Sequence, residues 1–270
     1  EKPSYLIIHL LTSIPLTLLM LFNFKTKFVL RISGLPRLNF FRKFLWKMVG
    51  KKLFLVTCPT SETLDNIIKT KIFGESKVVL LPDPIINVAE ILKKNKKIIQ
   101  DKYLKKNYFL NIGRLTKQKN QQLLIKLFSK LNTVNENYYL YIIGEGEEKE
   151  TLQKQINDLR LQDRIFLLGH QNNVFPYISL SRAIISTSLW EDPGAVMIEA
   201  AFCNKTVISS DCISGPKEFL MNNKAGYLFK NGNLESIFET FKDYVKEKPE
   251  KFYEKKLLAK KNSKKYSLFS

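Results

Sequence analysis

The stretch Trp190-Glu191-Asp192-Pro193-Gly194-Ala195-Val196-Met197-Ile198-Glu199-Ala200-Ala201 decides the fold of this 270-residue chain. A short apolar segment of strand length, 182–188, precedes it, and a second such segment, 206–210, follows it. The apolar run that starts at Ala195 predicts a helix, and the Pro-Gly pair before it predicts a turn. The stretch therefore predicts one strand–turn–helix–strand unit.

The start of the predicted helix is a candidate anion-binding site. Backbone N–H groups around Gly194 and Ala195 lack helical partners, and the helix dipole places positive charge there. Glu191 comes just before this end and Glu199 about one and a half turns into the helix. Both carboxylates could accept hydrogen bonds from sugar hydroxyls beside a bound phosphate. The alternative is that Glu191 only caps the helix and Glu199 is a solvated surface residue.

Charge and cysteine content limit the class of protein. The net charge of +19 implies an acidic partner: a phosphorylated small molecule, an anionic membrane surface or a nucleic acid. The three cysteines, Cys58, Cys203 and Cys212, form no C-x-x-C pair, which argues against a disulfide framework and a zinc site. A reducing, cytoplasmic setting is therefore expected. Two histidines, His9 and His170, are too few for a His-rich metal centre.

Strands and helices alternate along the chain. The sequence predicts strands at 5–8, 27–32, 53–58, 77–81, 108–112, 139–143 and 164–168, in addition to the two above. Helices of ten or more residues between strands indicate βαβ units, hence an α/β fold with parallel sheets. Ligands bind beyond the carboxyl ends of such strands. Four turns occupy those positions, at 113–114, 144–146, 169–170 and 190–191.

The predicted organisation has two domains. It consists of a partial N-terminal domain at 1–95, a Lys-rich linker at 96–107, a C-terminal domain at 108–248 and the start of a Lys-rich helix at 249–270. The chain opens with Glu1-Lys2-Pro3 directly before a strand. We expect from this abrupt opening that the chain is a fragment that lacks the start of its first domain.

Residues 5–24 are apolar and about as long as a membrane span. Polar residues and a proline interrupt the segment, so a strand followed by a buried helix, with Ser13 as its N-cap, is the favoured interpretation. A transmembrane helix is the alternative.

Residues 25–52 contain nine basic residues and no acidic one. Within them, 38–52 predicts an amphipathic helix with Phe41, Phe44, Leu45 and Met48 on one face. Such a helix either docks on the sheet with a solvated basic face or lies on an anionic bilayer surface. Both interpretations can be true at the same time, because a docked helix can still present its basic face to lipid.

The sequence resembles the family 4 retaining glycosyltransferases of GT-B fold over nearly its whole length, most specifically in the second half. Glu191 and Glu199 resemble the family's E-x₇-E signature, and Gly194 stands at the position of the family's glycine. Its G-R-L-x-x-x-K phosphate motif and its G-x-G turn are matched by Gly113, Arg114, Leu115, Lys119, Gly144 and Gly146.

The resemblance implies two Rossmann-like domains whose parallel sheets face each other across a cleft, and it implies roles for particular residues. Arg114 and Lys119 would neutralise the diphosphate of the donor. Glu191 would contact the donor sugar together with backbone N–H groups from Gly194 to Val196. The remaining implied contacts are Glu199 with the ribose hydroxyls, and Gly169 and His170 with the base.

The implied activity is transfer of a sugar from a nucleotide-diphosphate donor to a glycan or lipid-linked acceptor, with retention of anomeric configuration, in cell-surface polysaccharide synthesis. Glu191, Arg114 and Lys119 are the candidate catalytic residues. Two fixed cations and a helix start stabilise a diphosphate leaving group without a metal. The sequence contains no D-x-D motif, so no metal or cofactor is expected.

Several positions depart from the family pattern. Asp192-Pro193 replaces the usual Gly-Phe, Asn120 stands where Gly is common, and Ser33 stands where the N-terminal domain often carries a His. Arg31 or the Ser33-Gly34 backbone is then expected to shape that wall. The family's opening strand and Gly-rich loop have no match here. These departures leave the identity of the sugar open.

Other functions remain as alternatives. A sugar-nucleotide epimerase of the same fold is the nearest enzymatic one, and an inactive nucleotide-binding fragment is another. Nucleic acid is not an expected partner, because the basic residues are not interleaved with a recognisable reading motif. The expected location is the cytoplasm, with peripheral contact at the inner membrane face through residues 25–52.

Overall fold

The computed structural model describes residues 3–10, 12–34, 36, 38–96, 107–133 and 138–268. The chain divides into two compact units, Glu1–Asp83 and Pro84–Ser270. Most of the segment predicted as a linker, 97–106, lies outside the described residues, so that assignment stays a prediction.

The first unit is built on a parallel sheet of four strands. These are β1 (Tyr5–Ile8), β2 (Lys27–Arg31), β3 (Leu53–Cys58) and β4 (Val78–Leu80), in the order β1-β2-β3-β4. The crossovers carry helices α1 (Ser13–Leu21), α2 (Phe40–Val49) and α3 (Ser61–Lys69), with a 3-10 turn at Glu75–Lys77. Leu16, Leu30, Trp46, Val56 and Ile67 lie at the centre of its core.

The second unit is built on a parallel sheet of six strands. These are β5 (Tyr108–Ile112), β6 (Tyr139–Ile143), β7 (Ile165–Gly169), β8 (Ala183–Ser186), β9 (Thr206–Ser210) and β10 (Tyr227–Phe229). Their order is β10-β9-β8-β5-β6-β7. This is the strand order of a doubly wound sheet, in which the chain first builds one half and then returns to build the other.

Eight helices accompany this sheet in the described residues. They are α4 (Val88–Asn95), α5 (Gln121–Thr133), α6 (Lys149–Asp158), α7 (Phe175–Leu180), α8 (Ala195–Phe202), α9 (Pro216–Phe219), α10 (Leu234–Lys246) and α11 (Pro249–Ser263). A 3-10 turn, Lys264–Tyr266, follows α11. Successive strand residues point to opposite faces of the sheet. Phe109 therefore packs in one core layer while Tyr108 and Leu110 pack in the other.

The predicted α/β class with parallel strands in two sheets is confirmed. The strands predicted at 53–58 and 206–210 coincide with β3 and β9. The division of the chain differs in one respect, because α4 belongs to the second unit rather than to the N-terminal domain at 1–95. Asn173 Nδ2 donates a hydrogen bond to the Lys94 carbonyl at 2.9 Å, which ties α4 to the segment before α7.

Helix α2 docks through a different face from the one predicted. Trp46 and Val49 are buried, whereas Phe41, Phe44 and Met48 are 81%, 56% and 53% exposed. Seven of the ten residues of α2 are apolar, so the amphipathic pattern contained two apolar stripes and could not indicate which one meets the sheet.

Helix α1 begins at Ser13, with Thr12 rather than Ser13 as the N-cap and no side-chain capping bond. The predicted strand before it is β1. Two residues of α1, Leu16 and Leu19, are buried, so the helix is less covered than expected. In the described part of the chain, no helix has the length and apolarity needed to cross a membrane.

The Lys-rich segment at 249–270 is helical over α11, which packs against α8 and α9 of the second unit. Asn262 Nδ2 on α11 donates to the Phe219 carbonyl at 2.7 Å. The Tyr266 carbonyl accepts from the N–H groups of Ile85 and Ile86, at 2.9 and 2.8 Å. The two ends of the second unit are thereby joined to each other.

Candidate functional site

The candidate site lies where the winding of the second sheet reverses. Strand β5 has β6 on one side and β8 on the other, with Leu110 opposite Ile184. The chain leaves β5 toward β6 and leaves β8 toward β9, so the two following loops diverge and leave a crevice at the carboxyl edge of the sheet. These loops, 113–120 and 187–194, carry the motifs singled out in the sequence.

Hydrogen bonds hold the two loops together. The Leu189 N–H donates to the Gln118 carbonyl at 2.8 Å, and Gln118 Nε2 donates to the Trp190 carbonyl at 2.9 Å. The Thr187 hydroxyl donates to the Lys119 carbonyl at 3.0 Å. Lys119 therefore has its backbone fixed by the loop that carries Glu191.

A third loop, after β6, supports the first. Gly144 and Gly146 have φ values of +146° and +159°, and a Cβ on them would lie 1.9 Å from the Gly113 carbonyl oxygen and 2.3 Å from that of Leu115. Only glycine allows this approach. The Leu115 N–H donates to the Glu145 carbonyl at 2.9 Å. The matched G-x-G turn thus shapes the backbone beside Arg114.

The central contact of the site is an ion pair between Lys119 and Glu191. Lys119 Nζ lies 2.6 Å from Glu191 Oε1, and the two side chains are 20% and 10% exposed. The same oxygen accepts the Ser188 hydroxyl at 2.5 Å. Glu191 does not cap α8, because the N-cap is Gly194 and the hydrogen bonds that the Glu191 side chain accepts come from Lys119 and Ser188. The capping alternative for Glu191 is therefore wrong.

A cavity of about 200 Å³ opens beside this ion pair. Its lining includes Ile112, Lys119, Ser186, Glu191, Asp192, Gly194, Ala195, Val196 and Met197. Gly194 has a φ of +93°, and a Cβ on it would lie 2.3 Å from Met197 Cε. The glycine thus leaves room for the side chain of Met197. The structure brings together Lys119, Glu191 and the start of α8 around one space.

The other candidate residues lie outside the lining of that cavity. Arg114 is on the same loop as Lys119, and its side chain is exposed and pairs with none of the described residues. Gly169 ends β7 and its carbonyl accepts the Gly144 N–H at 2.9 Å, while His170 beside it is exposed. Their contacts with a donor stay predictions.

Glu199 is half-buried on α8. Burial raises the pKa of its carboxyl to about 7, although the nearby positive charge of Lys94 opposes the rise. Lys94 also pairs with Glu90 at 2.5 Å and lies over the Phe175 ring at 5.9 Å. The Glu199 carboxyl is therefore partly shielded from solvent, and its contact with the ribose stays a prediction.

The first unit holds the positions expected to replace the family's histidine. Arg31 is 9% exposed and donates to the Leu81 carbonyl at 2.6 Å and to Asp83. Ser33 Oγ lies 2.5 Å from His9 Nε2. A cavity of about 140 Å³ is lined by residues that include Arg31, Ser33 and Arg42. Arg31 therefore contacts the segment after β4 and also lines this cavity, while its role in place of the family's histidine stays a prediction.

Sequence reasoning missed three residues that the structure places at or near the site: Ser188, Gln118 and Lys94. Ser188 contacts Glu191, Gln118 joins the two loops and Lys94 lies near Glu199. The first two lie inside or beside the quoted motifs, but serine and glutamine are common in loops and gave no separate signal. Lys94 comes from a Lys-rich segment that the sequence analysis placed at the end of the N-terminal domain.

Among the described residues, no group of three or more His, Cys, Asp or Glu side chains is arranged to hold a metal ion.

Comparisons with known proteins identify the family. The family model described as "Glycosyl transferases group 1" matches residues 93–265. An uncharacterized glycosyltransferase of Methanocaldococcus jannaschii is 42% identical over 128 residues, covering 47% of this chain and 30% of that protein. A Campylobacter jejuni protein, N-acetylgalactosamine-N,N'-diacetylbacillosaminyl-diphospho-undecaprenol 4-alpha-N-acetylgalactosaminyltransferase, is 28% identical over 235 residues, covering 84% of this chain and 62% of that protein.

The crystal structure of Anabaena HepE in complex with UDP-glucose is similar in fold. Its TM-score is 0.77 at 16% identity, and the match covers 98% of this chain and 75% of that one. Two parallel-stranded α/β units and this similarity define the GT-B fold. The chain belongs to the glycosyl transferases group 1 family. It spans less than two thirds of the length of the two relatives named above.

The raised pKa of Glu199 predicts a pH-dependent stability difference between the wild type and Glu199→Gln. The pKa of an unfolded glutamate is about 4.3, so the folded state holds the proton more tightly. This contribution is fully present below that pH and is lost as pH rises through about 7. Urea midpoints of the two proteins between pH 4 and 8 should show the wild type losing stability relative to the variant.

Glu250→Gln, which removes an exposed carboxylate in the first turn of α11, is the matched control for this measurement. A stability difference between Glu199→Gln and the wild type that stays constant over the pH range would contradict the assignment.

Proposed function

We propose that this chain transfers a sugar from a nucleotide-diphosphate sugar to a glycan or lipid-linked acceptor, with retention of anomeric configuration and without a metal. One observation carries the proposal: Lys119, Glu191 and the start of α8 line the same cavity at the point where the sheet reverses its winding. Anabaena HepE, which shares the fold, has been crystallised with UDP-glucose.

The charges suit a diphosphate leaving group. Negative charge grows on the diphosphate as the glycosidic bond breaks, and fixed positive groups stabilise it. Lys119 supplies one such charge, and the N–H groups from Gly194 to Val196 supply partial charge from the start of α8. Arg114, on the same loop, supplies a second full charge when its exposed side chain turns toward the phosphates.

The two carboxylates suit hydroxyl groups on either side of the diphosphate. Glu191 lines the cavity and accepts hydrogen bonds from the donor sugar. Glu199 accepts them from the ribose, and its ionised form, favoured above about pH 7, is the stronger acceptor. Gly169 and His170 then contact the base.

Retention follows from displacement on one face of the sugar. Glu191 has one oxygen held by two donors, Lys119 and Ser188, which suits hydroxyl binding better than nucleophilic attack. The acceptor hydroxyl approaches on the side of the departing phosphate, and a phosphate oxygen takes its proton. No covalent glycosyl-enzyme is formed.

The acceptor side of the proposal includes a membrane contact. On α2, Phe40, Phe41 and Phe44 are 86%, 81% and 56% exposed, and Lys43 and Lys47 are exposed among them. Exposed aromatic side chains beside basic ones bind the headgroup region of anionic bilayers. The Campylobacter relative is named for a diphospho-undecaprenol-linked substrate. An acceptor of this kind would be met at such a surface, in cell-surface polysaccharide synthesis at the cytoplasmic face.

The reaction is tested by following the nucleotide diphosphate and the product anomer. With a panel of UDP-sugars, release of UDP should depend on an added acceptor and persist in EDTA. Proton NMR of the product should show the anomeric configuration of the donor. Inversion would contradict the proposed mechanism, and interconversion of the donor without acceptor would indicate the epimerase instead.

Arg114→Ala and Lys119→Ala should each weaken UDP binding by roughly tenfold or more while leaving uridine binding nearly unchanged, because each removes a charge-assisted phosphate contact. Calorimetric titration with both ligands measures this. Lys117→Ala, an exposed lysine of the same loop that does not line the cavity, is the matched control. Equal losses for UDP and uridine would mean that these residues do not contact the phosphates.

The membrane contact is tested by vesicle co-sedimentation. The wild type should bind vesicles of phosphatidylglycerol and phosphatidylcholine but not phosphatidylcholine alone. Replacing Phe41 and Phe44 by Ser should lower the partition constant by roughly tenfold, because apolar burial in the interface is lost. Tyr253→Ser, at a 65% exposed aromatic residue of α11, is the control. Identical binding of all three proteins would refute the assigned surface.

A further inference from the structure

Ser188 lies in the loop after β8, between the sheet and Glu191. It is 1% exposed, and its hydroxyl donates to Glu191 Oε1 at 2.5 Å. Its own carbonyl accepts the Ser210 hydroxyl at 2.5 Å, and Ser186 Oγ lies 3.3 Å from Ser188 Oγ. Ser188 is therefore held rigidly while its hydroxyl points at the carboxylate.

The two oxygens of Glu191 have different surroundings. Oε1 accepts both the Ser188 hydroxyl and Lys119 Nζ, at 2.5 and 2.6 Å. Within the described ranges, Oε2 accepts no hydrogen bond, and the residue lines the cavity of about 200 Å³. One oxygen is thus occupied by the protein, and the other remains available to a hydroxyl in the cavity.

The two donors to Oε1 differ in what a ligand does to them. A diphosphate that contacts Lys119 competes with Glu191 for the ammonium group, since both are anionic. The Ser188 hydroxyl is neutral and almost completely buried, so it does not contact that diphosphate. Of these two hydrogen-bond donors, Ser188 is the one that keeps its contact with Glu191 when the nucleotide sugar is bound.

We propose that Ser188 is a positioning residue: its hydroxyl fixes the Glu191 carboxylate so that Oε2 faces the donor sugar while the diphosphate occupies Lys119. This inference rests on the proposed function. Without the Ser188 hydroxyl, the Glu191 carboxylate moves with Lys119 or rotates. The donor sugar then loses a carboxylate oxygen that is oriented to accept its hydrogen bond. The bare nucleotide diphosphate, which does not contact Oε2, is unaffected.

The test is the ratio of two dissociation constants. The probes are UDP and whichever of UDP-glucose, UDP-N-acetylglucosamine and UDP-N-acetylgalactosamine binds the wild type most tightly, titrated calorimetrically into the 270-residue chain. Ser188→Ala should raise the ratio of the UDP-sugar constant to the UDP constant by roughly tenfold, the usual effect of one hydrogen bond to a charged group. A merely structural defect would weaken both ligands alike.

Three further variants sharpen the result. Ser263→Ala, which removes a buried hydroxyl that donates to the Lys260 carbonyl on α11 and touches no part of Glu191, should leave the ratio near that of the wild type. Ser188→Thr, which keeps a hydroxyl, should restore most of the ratio. In a Glu191→Gln background, Ser188→Ala should add little, since residues that act through one another are not additive.

The outcomes separate this inference from the function on which it rests. If the wild type binds UDP and a UDP-sugar but Ser188→Ala keeps the wild-type ratio, the positioning role is overturned and the proposed donor stands. If Ser188→Ala changes the ratio equally in the presence and absence of Glu191, the role does not run through that carboxylate and is likewise overturned. If the wild type binds none of these ligands, the donor class fails, and the inference fails with it.

Discussion

The reversal of winding between β5 and β8 is the constraint on which the rest of the second unit depends. All six strands are parallel, so every strand ends at the same edge of the sheet. Two neighbouring strands whose chains leave in opposite directions necessarily open a gap there. The loop with Lys119 and the loop with Glu191 border that gap, and three backbone-directed hydrogen bonds hold them in register. Lys119 and Glu191 meet because their loops border the same gap.

Much of this arrangement could be predicted from the sequence, for a physical reason. Strands buried on both faces are nearly continuous apolar runs, which made β6 and β8 visible. Turns with Gly at strand ends then located the loops of the site. Lys119 and Gly194 do line one cavity. The position of the Arg114 side chain could not be predicted from the sequence, because an exposed, flexible side chain is not fixed by the fold of its loop.

The residues that the sequence could not supply are those whose role depends on a contact that the local sequence pattern does not specify. Ser188 looks like any loop serine until Glu191 Oε1 is found 2.5 Å from its hydroxyl. Helix α2 had too many apolar positions for a pattern to choose its buried face, and packing against the sheet selected Trp46 and Val49. Short elements such as α9 and β10 carry too few residues to show a period.

The glycines after β6 act on a loop to which they do not belong. The carbonyl oxygens of Gly113 and Leu115 occupy the space that side chains at positions 144 and 146 would need. The conformation of the loop 113–120 therefore depends on the glycines of the loop after β6 as well as on its own residues. A single methyl group at position 144 or 146 would therefore displace the backbone of the loop that carries Arg114 and Lys119, with both of those residues unchanged. The shape of the loop after β5 thus depends on glycine at two positions of the loop after β6.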